Sequence, residues 1–355
     1  MSKGKKRISL GGKVAIIIAA VVVVGGVAAW AIVNDLLGRF GKIDNVPSNT
    51  PVNIAPEIDE NNGGEVIDDK SASDRINIDD IELMTDDDVI NILCIGSDAR
   101  TPGERDRSDS MIICSLNRKT GEIKLVSLMR DMYVKISGHG SNRLNAAYAF
   151  GGMPLLDETI EKNFGVKING NVAVNFESFV EAISNIGNLD IELTAAEARY
   201  LNTDDMFKDY HWDLKEGVNS MNPEQLLAYS RIRHVGRSDW ERTDRQRRVI
   251  MTAFAKVKDM SIMEALSLAK KIFPCIATDM DNGMLINLIT VAFGKKPQIV
   301  ANERIPLDGT YGYAMIDGKM SVMLPDLKKN SEALHDILYG ATETADAQSN
   351  TVQNK

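Results

Sequence analysis

The stretch Ser110–Met129, "SMIICSLNRKTGEIKLVSLM", contains two short apolar runs on either side of the turn-forming "RKTG". Runs of this length, rich in isoleucine, leucine and valine, are typical of buried β-strands, and the turn between them predicts a hairpin. A third apolar run, Val89–Ile95, ends at Gly96 and predicts a buried strand that enters a loop. We expect these three strands to form the centre of the folded body.

Strand and helix patterns alternate after this hairpin. "NVAVNF" and "LDIEL" have the pattern of strands, whereas "FESFVEAISNIG" and residues 145–164 have helical spacing, with an interruption at "GGMP". Thr194 and Glu197 form a capping box that predicts a helix over "AAEARYL". Pro223 is expected to open a further helix. Alternating strands and helices predict an α/β layer fold.

The amino terminus predicts a membrane anchor. Residues 14–33 are an uncharged apolar run, and a helix of about 20 residues spans a hydrocarbon core about 30 Å thick. Basic residues in positions 1–13 predict a cytoplasmic tail, so the body lies outside the cytoplasm at the cell membrane. A cleaved signal peptide is the alternative, although the apolar core of such a peptide usually has about 7–15 residues.

Composition divides the rest of the chain. Residues 34–88 contain prolines, "NNGGE" and many acids with little periodicity, which predicts a flexible extracytoplasmic linker. Residues 89–260 form the expected main domain, and residues 261–340 are expected to be a helical carboxy-terminal extension of it. Residues 341–355 predict a disordered tail.

Several classes of function lack support in the sequence. A formal net charge of -9 argues against nucleic-acid binding. The four histidines lack metal-ligand spacing, and there is no nucleophile elbow or P-loop. Three cysteines do not make a disulfide framework, and Cys94 and Cys114 remain open to two interpretations, as buried thiols or as a bridged pair.

Acid–arginine pairs lie where predicted strands begin or end. In α/β sheets, the loops at the ends of the strands carry the ligand sites. Carboxylates bind Mg²⁺ together with phosphate oxygens, and arginines neutralise the remaining phosphate charge. The alternative is a set of surface ion pairs, each worth roughly 0–1 kcal/mol. The pairs are Asp98 with Arg100, Arg107 with Asp109, and Arg130 with Asp131.

The segment Tyr229–Val249, "YSRIRHVGRSDWERTDRQRRV", contains seven arginines in this acidic chain. Helical spacing places some of them on one face, and an extended entry segment would add others. Arg247 and Arg248 are expected to point into solvent. The alternatives to an anion site are a solvated basic helix and a patch held on anionic lipid. The side chains that this spacing groups together are Arg231, Arg233, Asp239, Arg242, Arg245 and Gln246.

Five blocks in this order resemble the LytR-CpsA-Psr family of cell-envelope proteins. The blocks are "NILCIGSDAR", "RSDSMIICSLNRKTGEIKLVSLMRDMYV", "RLNAAYAFGG", "LNTDDMF" before "LKEGVNSMNPEQLLAYSRIRH", and "ERTDRQRRV". The resemblance covers about Val89 to Val257, and the anchor with its linker also fits the family. It implies a mixed central β-sheet flanked by helices, with residues 89–260 as the catalytic domain.

The resemblance also implies an activity, which is phosphotransfer dependent on Mg²⁺ (or Mn²⁺). A glycopolymer, teichoic-acid-like or capsular polysaccharide, would move from a polyprenyl-pyrophosphate carrier in the membrane to peptidoglycan, without a nucleic-acid partner. A non-catalytic polyprenyl-phosphate binder or envelope regulator is the alternative of another class. Hydrolysis of the lipid pyrophosphate is a third, because it would use the same site.

Residue roles follow from the same resemblance. Asp98 and Asp109 match the family's magnesium aspartates, and Asp98 is also the candidate base; with Arg107 and Arg130 they form the implied catalytic set. Met129 stands where the family usually has proline, which could loosen that turn. The positions implied around the pyrophosphate are Arg100, Asp131, Arg231, Arg233, Asp239, Arg242, Arg245 and Gln246.

The prenyl tail of such a substrate requires an apolar channel. Two helical segments offer candidate side chains, with ordinary core packing as the alternative for each. The first segment contributes Ala146, Ala147, Ala149, Phe150, Leu155 and Leu156, and the second contributes Phe176, Phe179, Val180 and Ile183.

Overall fold

The computed structural model describes residues 41–42, 64–97, 106–204, 207, 210–236 and 239–340. The predicted anchor, the predicted tail and two site residues, Asp98 and Arg100, lie outside the described residues, so the expectations for them stay predictions. Within the described part of the chain, no helix has both the length and the apolar character needed to cross a membrane.

The described residues alternate between strands and helices. The strands are β1 (Gly41–Lys42), β2 (Glu65–Ile67), β3 (Val89–Ser97), β4 (Ser108–Asn117), β5 (Glu122–Leu128), β6 (Tyr133–Ile136), β7 (Gly140–Arg143), β8 (Gly170–Val174), β9 (Leu189–Leu193), β10 (Gly217–Met221), β11 (Ala277–Thr278), β12 (Gln298–Ile305), β13 (Tyr311–Ile316) and β14 (Met320–Pro325). The helices are α1 (Asp69–Arg75), α2 (Leu144–Phe164), α3 (Phe176–Ile186), α4 (Ala195–Thr203), α5 (Pro223–Arg231), α6 (Asp239–Val257), α7 (Ile262–Ile272), α8 (Asn282–Lys295) and α9 (Leu327–Tyr339).

A mixed sheet with the order β1-β11-β8-β3-β4-β5-β12 forms the centre of the fold. Strand β4 runs antiparallel to both β3 and β5, as the predicted β4–β5 hairpin requires. Strand β8 pairs with β3 and β12 pairs with β5 in parallel, so the connections cross over through helices. The predicted α/β fold with a mixed central sheet is confirmed.

Side chains alternate between the two faces of this sheet, as the strand period of two requires. Leu93, Ile113 and Val126 enter one hydrophobic cluster with α2 and α9. Ile112 and Leu125 enter another, with residues of α6 and α8. Because both faces are buried, the strands read as continuous apolar runs in the sequence.

Helices α2 and α9 cover the first face, with the small sheet β14-β13-β2 beside them. Helix α2 is kinked at Gly152, whose φ of 66° is left-handed, and Pro154 follows. The interruption predicted at "GGMP" is therefore present. Helices α3 to α6 cover part of the second face together with the antiparallel strand pair β9 and β10. The capping box predicted for α4 is present between Thr194 and Glu197.

Residues 65–88 differ from the predicted flexible linker. They contain β2, which pairs with β13, and α1, whose Ala72 is buried in the main core together with the adjacent Ile76. The prediction failed because this segment has few apolar residues. Their burial depends on contacts with the main core, which the sequence of the segment does not show.

The carboxy-terminal part differs from the predicted helical extension. Helices α7, α8 and α9 are present, but β12 completes the central sheet and β13–β14 form a hairpin. Strand β12 alternates mostly between exposed and half-buried residues, as expected of a strand at the sheet edge. It therefore lacks the apolar run that identified the central strands.

Candidate functional site

A cavity of about 840 Å³ lies between the second face of the central sheet and helices α3 to α6. One part is polar and strongly basic, and the other has apolar and aromatic walls. The arginines of the polar part are Arg107, Arg130, Arg231, Arg233 and Arg242. The apolar walls include Ile112, Val172, Val174, Phe176, Phe179, Tyr200, Phe207, Leu227, Val249 and Ile250.

Asp109, on β4, is the acidic centre of the polar part. The Nη1 atom of Arg130 donates to its Oδ1 atom at 2.6 Å, and the Nη2 atom of Arg233 lies 3.6 Å from the same oxygen. Burial alone would raise the pKa of Asp109, but the charges of Arg130, Arg242 and Arg233 lower it below its ordinary value. Asp109 is therefore an anion near neutral pH, suited to binding a cation and poorly suited to accepting a proton.

Asp239 links the arginines at the first turn of α6. The Nη2 atom of Arg242 lies 2.9 Å from its carboxylate oxygens, and Arg233 and Arg130 approach it to 3.8 and 3.9 Å. Arg242 also donates to the backbone oxygen of Asp109 at 3.2 Å. Asp239 orients these side chains from behind and is not part of the cavity wall.

Arg242 is the most confined of the arginines in the wall, with 3% of its surface exposed. Burial and the neighbouring charges of Arg130 and Arg233 lower its pKa to about 10, although Asp239 and Asp109 oppose this effect. It therefore remains charged near neutral pH. Cations crowded in this way, with few carboxylates to balance them, favour a polyanionic ligand that would relieve their repulsion.

The remaining predicted pyrophosphate residues reach the cavity from separate elements. Arg231 ends α5, and its guanidinium carbon lies 4.4 Å from the ring centroid of Phe176. Arg107 precedes β4, and Gln246 follows Arg242 by one helical turn. The Oε1 atom of Gln246 is buried and has no hydrogen-bond partner among the described residues, so it can accept a bond from a donor in the cavity.

Asp131 is half-buried behind the site and does not line the cavity. Its Oδ1 atom lies 3.2 Å from the Nη1 atom of Arg143, and its Oδ2 atom lies 3.7 Å from the Nε atom of Arg130. Arg143 donates in turn to the backbone oxygen of Ser321 on β14. Asp131 thus supports Arg130 and connects it to the small sheet, and its position does not favour the direct pyrophosphate contact expected of it.

Arg245 requires a similar correction. Its Nε atom donates to Glu197 at 2.7 Å, and its Nη atoms donate to the backbone oxygens of Ile232 and Val235. It does not line the cavity, although it lies only one helical turn from Arg242. The packing of the α5–α6 connection over this position directs Arg245 away from the anion site.

Arg247, predicted to be solvated, is 2% exposed. It donates to Ser127 at 2.6 Å and also bonds Asp244 and Asn302. The strand β12 that supplies Asn302 was not predicted, so this burial could not be foreseen. Arg248 is exposed, as predicted, and donates to the hydroxyl of Tyr229 at 2.9 Å.

Of the two segments proposed for a prenyl channel, only the second reaches the cavity. Phe176 and Phe179 of α3 line it. The candidates on α2, such as Leu156, pack in the core on the opposite face of the sheet. Tyr200 and Phe207 were missed, because their contribution depends on how α4 and the residues after it fold back over α5.

The cavity wall also includes polar residues that the motifs did not identify. They are Ser97, Asp106, Ser110, Ser230 and His234. Ser110 lies within one of the blocks that match the family, and Asp106 lies directly before it. Their positions in the sequence could therefore have identified them. His234 follows Arg233 directly and could have been inferred from the same segment.

The predicted metal site can be examined at Asp109 but not at Asp98, which is outside the described residues. Among the described residues, no group of three or more acidic, histidine or cysteine side chains is placed to hold a metal ion. Mg²⁺ requires only one or two carboxylates when phosphate oxygens complete its coordination. Arg130 and Arg233 approach Oδ1 of Asp109, so Oδ2 remains for such a role and the residue fits this demand.

Cys94 and Cys114 are free thiols, like Cys275. They are diagonal neighbours on β3 and β4, opposite Ile112 and Ile92 respectively. Burial raises the pKa of the Cys94 thiol to about 11, so this thiol stays protonated and unreactive near neutral pH. Both side chains are unbridged and half-buried, so the structure supports free thiols over a bridged pair.

Comparison with known proteins identifies the family of the chain. A model of the LytR_cpsA_psr family matches residues 55–334. The polyisoprenyl-teichoic acid–peptidoglycan teichoic acid transferase TagU of Oceanobacillus iheyensis is 31% identical over 230 residues, which cover 62% of this chain and 68% of that protein. The regulatory protein MsrR of Staphylococcus aureus is 32% identical over 169 residues, 48% of this chain and 49% of that protein.

Solved structures share the fold. TagV of Bacillus subtilis superposes with a TM-score of 0.57 at 25% sequence identity, covering 72% of this chain and 98% of that one. A family protein, YwtF (TagT), was solved with bound octaprenyl pyrophosphate lipid; it has a TM-score of 0.54, 22% identity, and covers 72% of this chain and 93% of that one. At this identity the second likeness establishes the fold alone.

Proposed function

The chain belongs to the LytR-CpsA-Psr family, and from this membership we propose that it is a membrane-anchored phosphotransferase. It moves a glycopolymer, teichoic-acid-like or capsular, from a polyprenyl-pyrophosphate carrier to peptidoglycan. The observation that carries the proposal is a single cavity whose wall contains both five arginines and a set of apolar and aromatic side chains. That combination matches a ligand with a pyrophosphate head and a prenyl tail.

The arginines supply most of what phosphoryl transfer requires, which is positioning and charge stabilisation. A peptidoglycan hydroxyl oxygen attacks the sugar-side phosphorus and forms a new P–O bond. The bond from that phosphorus to the bridging oxygen breaks, and polyprenyl monophosphate leaves. Arg130, Arg233 and Arg242 would stabilise the negative charge of the pyrophosphate during transfer. All three lie around Asp109.

Asp109 is the described residue that would hold Mg²⁺, with Asp98 as its proposed partner. The cation would neutralise pyrophosphate oxygens and leave less charge for the arginines to balance. Since Asp109 has a lowered pKa, another carboxylate must take the hydroxyl proton, and Asp98 is the candidate.

The apolar walls favour a lipid-linked substrate over a soluble diphosphate. Phe176, Phe179 and Phe207 line the same cavity as the arginines, and Arg231 lies over the ring of Phe176. The name of the TagU relative specifies a polyisoprenyl-linked donor and a peptidoglycan acceptor, which is the pair proposed for this chain. A carrier of this kind resides in a membrane, which fits the proposed anchor at residues 14–33 and an extracytoplasmic position of the cavity.

A non-catalytic regulator is the second candidate, and the name of the MsrR relative is the observation that favours it. A protein that only binds an anion would use the arginines, but an aspartate among them would weaken its affinity for that anion. Asp109 therefore discriminates between the two candidates, because a transferase needs it and a binder does not.

The test uses the full chain with a polyprenyl-pyrophosphate-linked sugar and follows release of polyprenyl monophosphate. For a transferase, release requires Mg²⁺ and peptidoglycan. Asp109→Asn keeps the shape and removes the charge, so we expect a loss of release of at least about 100-fold with pyrophosphate binding retained or tightened. Release without peptidoglycan would instead identify a lipid pyrophosphatase. No release by the unsubstituted chain, with tight binding, would leave the regulator as the function.

A further inference from the structure

The connection between α5 and α6 carries several side chains of the cavity wall. Arg233 and His234 belong to it, and Arg231 immediately precedes it at the end of α5. Residues 232–236 adopt no helix or strand, so the hydrogen bonds of regular structure do not fix their backbone. Other contacts must hold these residues in place.

Arg245 provides such contacts from the next helix. Its Nη1 atom donates to the backbone oxygen of Ile232 at 3.0 Å, and its Nη2 atom donates to that of Val235 at 3.1 Å. The two carbonyls lie on either side of Arg233 and His234. One guanidinium thus fixes both ends of the short segment that presents these side chains.

Glu197 orients the guanidinium. Its Oε1 atom accepts from the Nε atom of Arg245 at 2.7 Å, and its Oε2 atom accepts from the backbone nitrogen of Thr194 at 2.9 Å. Burial opposes ionisation of Glu197, but the bonds from Arg245 and Thr194 lower its pKa below the ordinary value. The pair therefore also links the connection to α4, whose Tyr200 lines the cavity.

The bonds of Arg245 all point away from the anion site. Its side chain is 4% exposed and that of Glu197 is 6% exposed, and the two form a buried ion pair. The planar fork of arginine can bridge a carboxylate and two carbonyls at once, whereas a lysine ammonium cannot hold the same three positions. Arg233, in contrast, is 38% exposed and reaches Asp109.

We propose that the Glu197–Arg245 ion pair is a positioning device for the pyrophosphate site, which fixes the backbone of residues 232–235 so that Arg233 and His234 face the cavity. The inference rests on the proposed function, because it takes Arg233 as a pyrophosphate ligand. In this proposal Arg245 positions Arg233 and does not itself contact the substrate.

A double-mutant cycle tests this role. Binding of inorganic pyrophosphate to the full chain, with Mg²⁺ present, is measured by calorimetry for the unsubstituted protein, Arg245→Met, Arg233→Ala and the double variant. We expect Arg245→Met to weaken binding roughly tenfold in the unsubstituted background. In the Arg233→Ala background we expect it to weaken binding no more than about twofold, because the residue that it positions is absent.

Equal weakening in the two backgrounds would overturn the inference, since it would mean direct contact with the anion or a general loss of structure. Arg247→Met is the matched control, because Arg247 is equally buried and ion-paired on the same helix but lies outside this cavity. It should lower the melting temperature and leave pyrophosphate affinity unchanged.

If Arg245→Met does not fold, Glu197→Gln provides a second test of the same role. The amide retains an oxygen for the Nε atom of Arg245 but loses the charge, so a weakening of about threefold is expected, again only when Arg233 is present. A failure of the unsubstituted protein to bind pyrophosphate would instead reject the proposed function, and the inference with it.

Discussion

The two faces of the central sheet are equally apolar but are covered in different ways. On the first face, α2 and α9 fill the space, and Leu156, Ile160 and Phe164 are fully buried. On the second face, α3 to α6 leave the cavity, and Phe176 and Phe179 remain half-buried along its wall. The first face therefore supplies close-packed stability, and the second leaves room for a ligand.

The same contrast holds among the arginines of α6. Arg247 makes three bonds to its surroundings and lies outside the cavity, whereas Arg242 opens into the cavity, and its Nε atom has no hydrogen-bond partner among the described residues. A fully bonded arginine contributes to the fold, and an incompletely bonded one is available to a ligand.

The largest expected effect would come from Arg242→Ala. We expect release of polyprenyl monophosphate to fall at least about 100-fold, because a buried positive charge at the pyrophosphate is lost. The melting temperature should also fall, because the 2.9 Å contact with Asp239 is lost, although relief of repulsion with Arg130 and Arg233 offsets part of that loss. Arg247→Met should lower stability and leave release normal. A variant of Arg242 with near-normal release would remove the distinction between the two arginines.

A substitution on each face compares their contributions to stability. Leu156→Ala should lower the free energy of unfolding by about 2–5 kcal/mol, because a cavity forms in a filled core. Phe179→Ala should cost less than Leu156→Ala, since one side of its ring already borders open space. Chemical denaturation of both variants measures the difference, and an equal or larger cost for Phe179→Ala would contradict it.

The smallest effect concerns a carboxyl group on the filled side. Burial raises the pKa of Asp157 on α2 to about 7, and Asp279 and Glu161 add to this, although Asn171 donates to it at 2.8 Å. The folded protein therefore binds a proton that the unfolded chain releases near pH 4, so this group favours folding at low pH. Its contribution is lost as pH rises from about 4 to 7.

Asp157→Asn should flatten this part of the dependence of stability on pH. Melting temperatures at pH 5 and pH 7.5 measure the effect, with the unsubstituted chain as reference. An unchanged difference between the two pH values would show that Asp157 has an ordinary pKa.

Several features of the fold could be predicted because they depend on neighbours in sequence. The β4–β5 hairpin, the kink at Gly152 and the capping box of Thr194 and Glu197 all follow from patterns within a few residues. Edge strand β12 and helix α1, of which only Ala72 is buried, could not be predicted, since their apolar residues are few and the burial of these residues depends on distant partners.

For the site, the sequence by itself determined the types of residue and the family, because the motifs hold enough ordered identities to be specific. Only the tertiary structure decided which arginine has which role. Arg242 and Arg245 are one helical turn apart and differ by about 60° in direction, too little for spacing to separate them. The α5–α6 connection passes over one and not the other, so Arg242 faces the cavity while Arg245 holds that connection in place.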